Sequence, residues 1–287
     1  MAVGQIITAS RYNIMQARIQ SILGNGNGEF GYGQALQSLP LAPNQQVNAS
    51  HMTVLKTDLT KAFVHQNGTL PTLITVNIND EVKDSDSVQY ENISLSIFNN
   101  KNNIFIATQA SVEVKINSSR TTQWGGAAQP QSIFHEFNVI FNSADHRRHF
   151  FNAGGEIRIN SSLTGGSGAK NSEWIGMLSA MGTIRFDYTS TTASSGITTN
   201  IGNFDLTSTY QTIFNKPGTG VYSDNNYILK ARANSNQVTF LIEYYDGLTT
   251  LLDEPVTGTI TSSISQLRPT GVYVEVPTPS YQNIQTL

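Results

Sequence analysis

The chain has 287 residues and a net charge of −3, from 17 Lys and Arg against 20 Asp and Glu. Only 13% of its residues are charged, about half the roughly 25% usual for a globular protein, and no dense basic patch is present to meet a phosphate backbone, so nucleic acid is not an expected partner. It has no cysteine, which removes disulfides, thiolate metal sites and thiol nucleophiles from consideration.

The start, MAVGQIITAS, lacks a basic segment followed by a long apolar one, so no secretory leader is expected. No apolar run approaches the ~20 residues that span a bilayer, so no membrane partner is expected. Residues 4–24 (GQIITASRYNIMQARIQSILG) resemble residues 44–64 (NQQVNASHMTVLKTDLTKAFV). Ile7, Tyr12, Met15, Ile19 and Ile22 align with Val47, Met52, Leu55, Leu59 and Ala62. Those spacings place one apolar stripe on a helix, so residues 8–24 and 48–66 are expected to be helical. Ser10 and Ser50 stand where N-caps are wanted, and Gly24 and Asn67–Gly68 where helices stop. The glycines between Gly24 and Gly33 interrupt any continuous helix. Residues 1–70 therefore read as a helical docking module.

After Pro71 the period shifts towards alternation. Leu73–Asn79, Val88–Phe98, Ile104–Ile116, Ile133–Phe141, Phe150–Ile159, Gly182–Tyr188, Tyr227–Ala233, Val238–Tyr244 and Val272–Val276 read as strands. Gly154–Gly155 marks a bulge, bend or hairpin within one of them. Asn171–Met181 is the one helix expected in this region. The predicted fold class is mainly β: an antiparallel β-sandwich over residues 71–287 behind a small N-terminal helical module.

Candidate chemistry is sparse. His146 and His149 flank Arg147 and Arg148, but a strand reading of the segment puts the two imidazoles on opposite faces, so a shared metal is not expected. His146, Arg147, Arg148, His149 and Arg158 are instead expected at subunit contacts, since arginine forms bidentate pairs and is enriched at interfaces. The acidic run Asp80, Glu81, Asp84, Asp86 lacks the glycine of a calcium loop and reads as solvated. Glu136, Glu156, Glu173, Asp187, Glu243, Asp253 and Glu254 could pair for glycoside hydrolysis only by folding, because no short motif joins any two. Neither a phosphate-binding loop nor a nucleophile elbow is present. Tyr222, Tyr227, Tyr244, Tyr245 and Tyr281 read mainly as packing residues, with glycan contact as the functional alternative. No catalytic residue, metal or cofactor is expected.

HRRHFFNAGGEIRI (146–159), KNSEWIGMLSAMGTIRFDY (170–188) and YILKARANSNQVTFLIEYYD (227–246) resemble stretches of virion structural proteins of tailed phages, particularly contractile-tailed phages of cyanobacteria. The helix entry ITASRYNIMQARI, repeated as VNASHMTVLKTDL, is similar to the start of such proteins. The resemblance implies a non-enzymatic tail, baseplate or neck component of the virion. It would be a trimer or hexamer, docked on other virion proteins through residues 1–70. The alternatives are a receptor-binding fibre module recognising host surface glycan, and a glycan-degrading enzyme.

Overall fold

The computed structural model describes residues 7–78, 80, 84–248 and 253–284. The chain divides into two compact units: Met1–Ser111 with Arg148–Gly154 and Arg268–Pro277, and Val112–Arg147 with Gly155–Leu267 and Thr278–Leu287. The boundary expected near residue 70 thus lies inside the first unit.

The first unit is helical. Helices α1 (Ala9–Leu23), α2 (Ala49–Asn67) and α3 (Asp84–Asn99) pack on one another, and a single turn, α4 (Ile106–Gln109), follows. The repeated stripe is its core: Tyr12, Met15, Ile19 and Ile22 of α1 and Met52, Leu55, Leu59 and Ala62 of α2 are all buried. The caps differ from expectation. Thr8 caps α1, and Asn48 caps α2 through a full capping box with His51. Ser10 and Ser50 lie inside the first turns, because the chain turns helical two residues sooner. Asn48 Oδ1 accepts the His51 N–H at 3.1 Å, and His51 Nδ1 accepts the Asn48 N–H at 3.2 Å, so two orphan donors are satisfied reciprocally. Gly68 ends α2 in the left-handed conformation.

Two segments read as strands belong to this unit and are not strands. Val88–Phe98 lies in α3. Beside Asp86, its buried stripe runs through Ser87, Tyr90, Ser94 and Ile97. That spacing is helical, but serine at two of the four positions hides the stripe, while Ile93, Leu95 and Ile97 mimic alternation. Over 71–77 the chain is irregular. Side chains, not a neighbouring strand, satisfy its backbone: Lys56 Nζ donates to Leu73 O at 2.9 Å, and the Tyr90 hydroxyl to Ile74 O at 2.8 Å. Of the acidic run, Asp80 is exposed as expected and Asp86 is not. Asp80 Oδ2 accepts the Asn77 N–H at 2.7 Å, and Asp86 is buried in α3. Asn79, Glu81, Val82 and Lys83 lie outside the described residues.

The second unit is a sandwich of two antiparallel sheets. Its strands in chain order are β1 (Ala110–Arg120), β2 (Ser132–Ile140), β3 (Glu156–Thr164), β4 (Ile184–Phe186), β5 (Thr191–Thr192), β6 (Ile197–Thr198), β7 (Gln211–Pro217), β8 (Asn226–Ala233), β9 (Gln237–Tyr245), β10 (Thr259–Pro269) and β11 (Ser280–Ile284). One sheet has the order β1-β10-β3-β4-β5, the other β11-β2-β9-β8-β7-β6. Helix α5 (Ala144–Asn152) precedes β3, and α6 (Ala169–Met181) follows it. Strands β2, β8 and β9 alternate as expected, with Phe137, Val139, Leu229, Ala231, Phe240 and Ile242 buried. Phe186 of β4 meets Phe240 of β9 edge-on at 5.2 Å, joining the two sheets.

The differences have local causes. Phe150–Asn152 ends α5, and Gly154 turns the chain at φ 85° before β3 begins, so FFNAGGEIRI is helix, turn and strand. Ile104–Ile116 opens with α4 before β1 starts. The long strand β10 has no reading in the sequence, since two of its inward positions hold Ser262 and Gln266. Val272–Val276 is no strand; Val272 is exposed, and Thr270 and Glu275 form an isolated bridge.

Candidate functional site

The residues singled out for subunit contact lie on α5 and β3. Because α5 is a helix, His146 and His149 share a face after all, contrary to the strand reading. Among the described residues, however, no group of three or more His, Asp or Glu could hold a metal ion. His146 Nδ1 accepts the Asn142 N–H at 3.0 Å. Arg147 donates to the carbonyl of Asn234. Arg148 donates to the carbonyls of Asn25, at 2.7 Å, and Phe30, and His149 Nε2 lies 2.9 Å from the same Asn25 carbonyl. Asn152 Nδ2 reaches Gly28 O at 3.3 Å. These three side chains pin the glycine-rich segment after α1. Gly33, at φ 73°, is needed there because a Cβ would stand 2.4 Å from His149 Nδ1. Arg158 pairs with Glu156 at 2.7 Å. Each of the five residues therefore has a partner within the chain.

Strand β1 is the edge of its sheet and carries the exposed apolar side chains Val112 and Val114, 57% and 74% accessible. In the helical unit, the first half of α1 and the turn before α2 form a groove of about 790 Å³, lined by Ile7, Ala9, Asn13, Ile14 and Ala17 against Pro43–Gln46. Ile14 is half exposed in it.

The polar centre of the sandwich was not legible in the sequence. Lys170, in the first turn of α6, is 3% exposed; Asp246 and Asp253, which its ammonium meets, are 0% and 1% exposed. Nζ lies 2.6 Å from Asp246 Oδ2 and in contact with Asp253 Oδ1. The two carboxylates are held differently. Asp246 Oδ2 also accepts the Gly126 N–H at 3.1 Å, and its Oδ1 accepts the Leu248 N–H at 3.3 Å. Asp253 touches Lys170, yet among the described residues neither of its oxygens meets a donor in hydrogen-bonding geometry. Gly125, at φ 67°, brings the backbone so close that a Cβ would stand 1.8 Å from Asp246 Oδ2. Trp124 adjoins that glycine, Trp174 lies one turn along α6 from Lys170, and their rings meet edge-on at 5.7 Å. Both pack against Tyr244. Tyr244 in turn hydrogen-bonds Ser161 at 2.8 Å and Ser262, and burial raises its pKa to about 12. On the same sheet as Tyr244, His135 Nδ1 lies 2.8 Å from Ser262 Oγ, its Nε2 is buried with no partner among the described residues, and burial lowers its pKa to about 4.

Of this centre, sequence reading singled out only Asp253 and Tyr244. Lys170 and Asp246 belong to no short motif, and 76 residues separate them. Glu173 accepts from Thr219, and Glu243 from Lys230, so those carboxylates serve local contacts. Tyr227 and Tyr244 are core residues. Among the described residues, no helix is long and apolar enough to cross a membrane. Comparison with protein-family models, curated proteins and solved structures finds no match.

Proposed function

We propose that the chain is a non-enzymatic structural subunit of a tailed-phage virion, placed in the tail, baseplate or neck and working in symmetric contact with copies of itself and with other virion proteins. The observation that carries this reading is the edge of the five-stranded sheet. Among the described residues, strand β1 pairs on one side only and presents Val112 and Val114 to solvent. An edge of that length leaves backbone donors and acceptors open to a further strand, and natural edges are usually short, charged or covered. Glu113 and Lys115 of β1 pair with each other, which softens their charge as a barrier. Closed symmetry is the ordinary way for such a surface to be satisfied without open-ended growth.

Two features weigh against the alternatives. The carboxylate pair that shares Lys170, Asp246 and Asp253, is sealed from solvent and occupied by that lysine, so no glycan can reach it. Two of the tyrosines considered for glycan contact, Tyr227 and Tyr244, are fully buried. The groove beside α1 is the surface we propose for docking on a neighbouring virion protein. The test is a cryo-electron microscopy reconstruction of the purified particle with this chain fitted. Rings of copies in contact through β1 would support the proposal; no density for the chain in the particle would refute it.

A further inference from the structure

We propose that Lys170 and Asp253 are joined by an intramolecular isopeptide bond, formed by the folded chain itself with Asp246 as the proton-transferring group. The inference is independent of the virion reading. It rests on placement, burial and the unequal hydrogen bonding of the two carboxylates.

Lys170 stands where a cation is least welcome. The first turn of a helix carries the positive end of the macrodipole, and α6 has no side-chain cap. Three ionised groups this deeply buried would together carry a charge of −1, and desolvating each of them is costly. An amide between Nζ and one carboxyl removes two of the three charges. The surroundings are also those that the chemistry needs. Nζ is in contact with Oδ1 of the carboxyl whose Cγ it would attack, so most of the loss of freedom that slows a bimolecular amidation has already been met by folding. Bulk water, which would reverse the bond, is excluded.

The hydrogen bonds say which carboxylate reacts. Asp246 holds two backbone N–H groups and the ammonium, so losing an oxygen there would break an established set. Asp253 has no such bonds to lose among the described residues. Asp246 Oδ2, 2.6 Å from Nζ, is placed to take a proton from the ammonium. The neutral amine then attacks Cγ of Asp253. A C–N bond forms, a C–O bond breaks, and the departing oxygen leaves as water with the two protons released by nitrogen, passed through Asp246. Asp246 begins and ends as a carboxylate. No oxidant, reductant or cofactor is involved.

The test is the mass of the purified intact chain under denaturing conditions, followed by a tryptic map. A chain lighter than its sequence by one water is expected. Trypsin should fail to cleave after Lys170, and peptide 159–185 should be recovered covalently joined to peptide 233–287, with fragment ions placing the link on Asp253. Lys170→Arg, which keeps the charge but not the nucleophile, and Asp253→Ala should each return the full mass. Full mass in the unaltered chain overturns the proposal. So does a water loss that leaves residues 159–170 released as a free peptide, the result expected from succinimide formation at Asp246–Gly247. A link mapped to any residue but Asp253 overturns it as well.

Discussion

Two buried histidines, one in each unit, set how stability should vary with pH. His65 is fully buried in α2. Its Nε2 lies 2.9 Å from the Ala153 carbonyl and acts as donor, while Nδ1 is buried with no partner. A second proton would have to sit on Nδ1, which is buried with no acceptor among the described residues. Burial accordingly lowers its pKa from 6.5 to about 4, outweighing the upward pull of the Ala153 carbonyl. The same holds for His135, also lowered to about 4, by burial and then by the charge of Arg120. The unfolded chain therefore binds more protons than the folded one between about pH 6.5 and pH 4, and stability falls as pH drops through that window. Integrating one such site from pH 7 to pH 5 gives a loss of about 2 kcal/mol, rising to about 3 kcal/mol once pH is below the folded value. His65→Gln keeps a donor for Ala153 but cannot titrate. Urea unfolding at pH 7 and pH 5, followed on the helical unit, should show the unaltered chain losing about 2 kcal/mol more than the variant over that interval. Equal losses in the two proteins would refute the reasoning.

Asn48→Ala should destabilise the helical unit by about 1 kcal/mol, while Ser50→Ala should be near neutral, because only Asn48 caps α2; denaturant midpoints of the two variants settle the order. Gly125→Ala should cost at least about 3 kcal/mol, since it combines a left-handed backbone with a clash on a buried carboxylate; thermal unfolding reads it. The purified chain should release no reducing sugar from polysaccharide or peptidoglycan. Turnover abolished by one carboxylate substitution would overturn that expectation.

The sequence exposed the elements whose inward positions are apolar. The stripes of α1 and α2 and the alternation of β2, β8 and β9 were legible because Leu, Ile, Val, Met and Phe mark their buried faces. It hid those whose inward positions are polar. Ser87 and Ser94 in α3, and Ser262 and Gln266 in β10, are buried, and a hydrophobicity pattern cannot show them. The α5 cluster was visible as composition but not as function: Arg148 and His149 bind carbonyls about 120 residues away, in a segment whose sequence shows only glycine. The Lys170 centre was hidden for the same reason, since three chain segments meet there only after the sandwich closes. A lysine following SSLTGGSGA looks like a loop residue until α6 is seen to begin there.

The central claim is symmetric assembly through an uncovered sheet edge. Sedimentation equilibrium of the full-length chain over a wide concentration range tests it most directly. A discrete mass of three or six copies is expected, reduced towards one copy by Val114→Lys with the fold retained. A single species of 31.3 kDa at every concentration would contradict it.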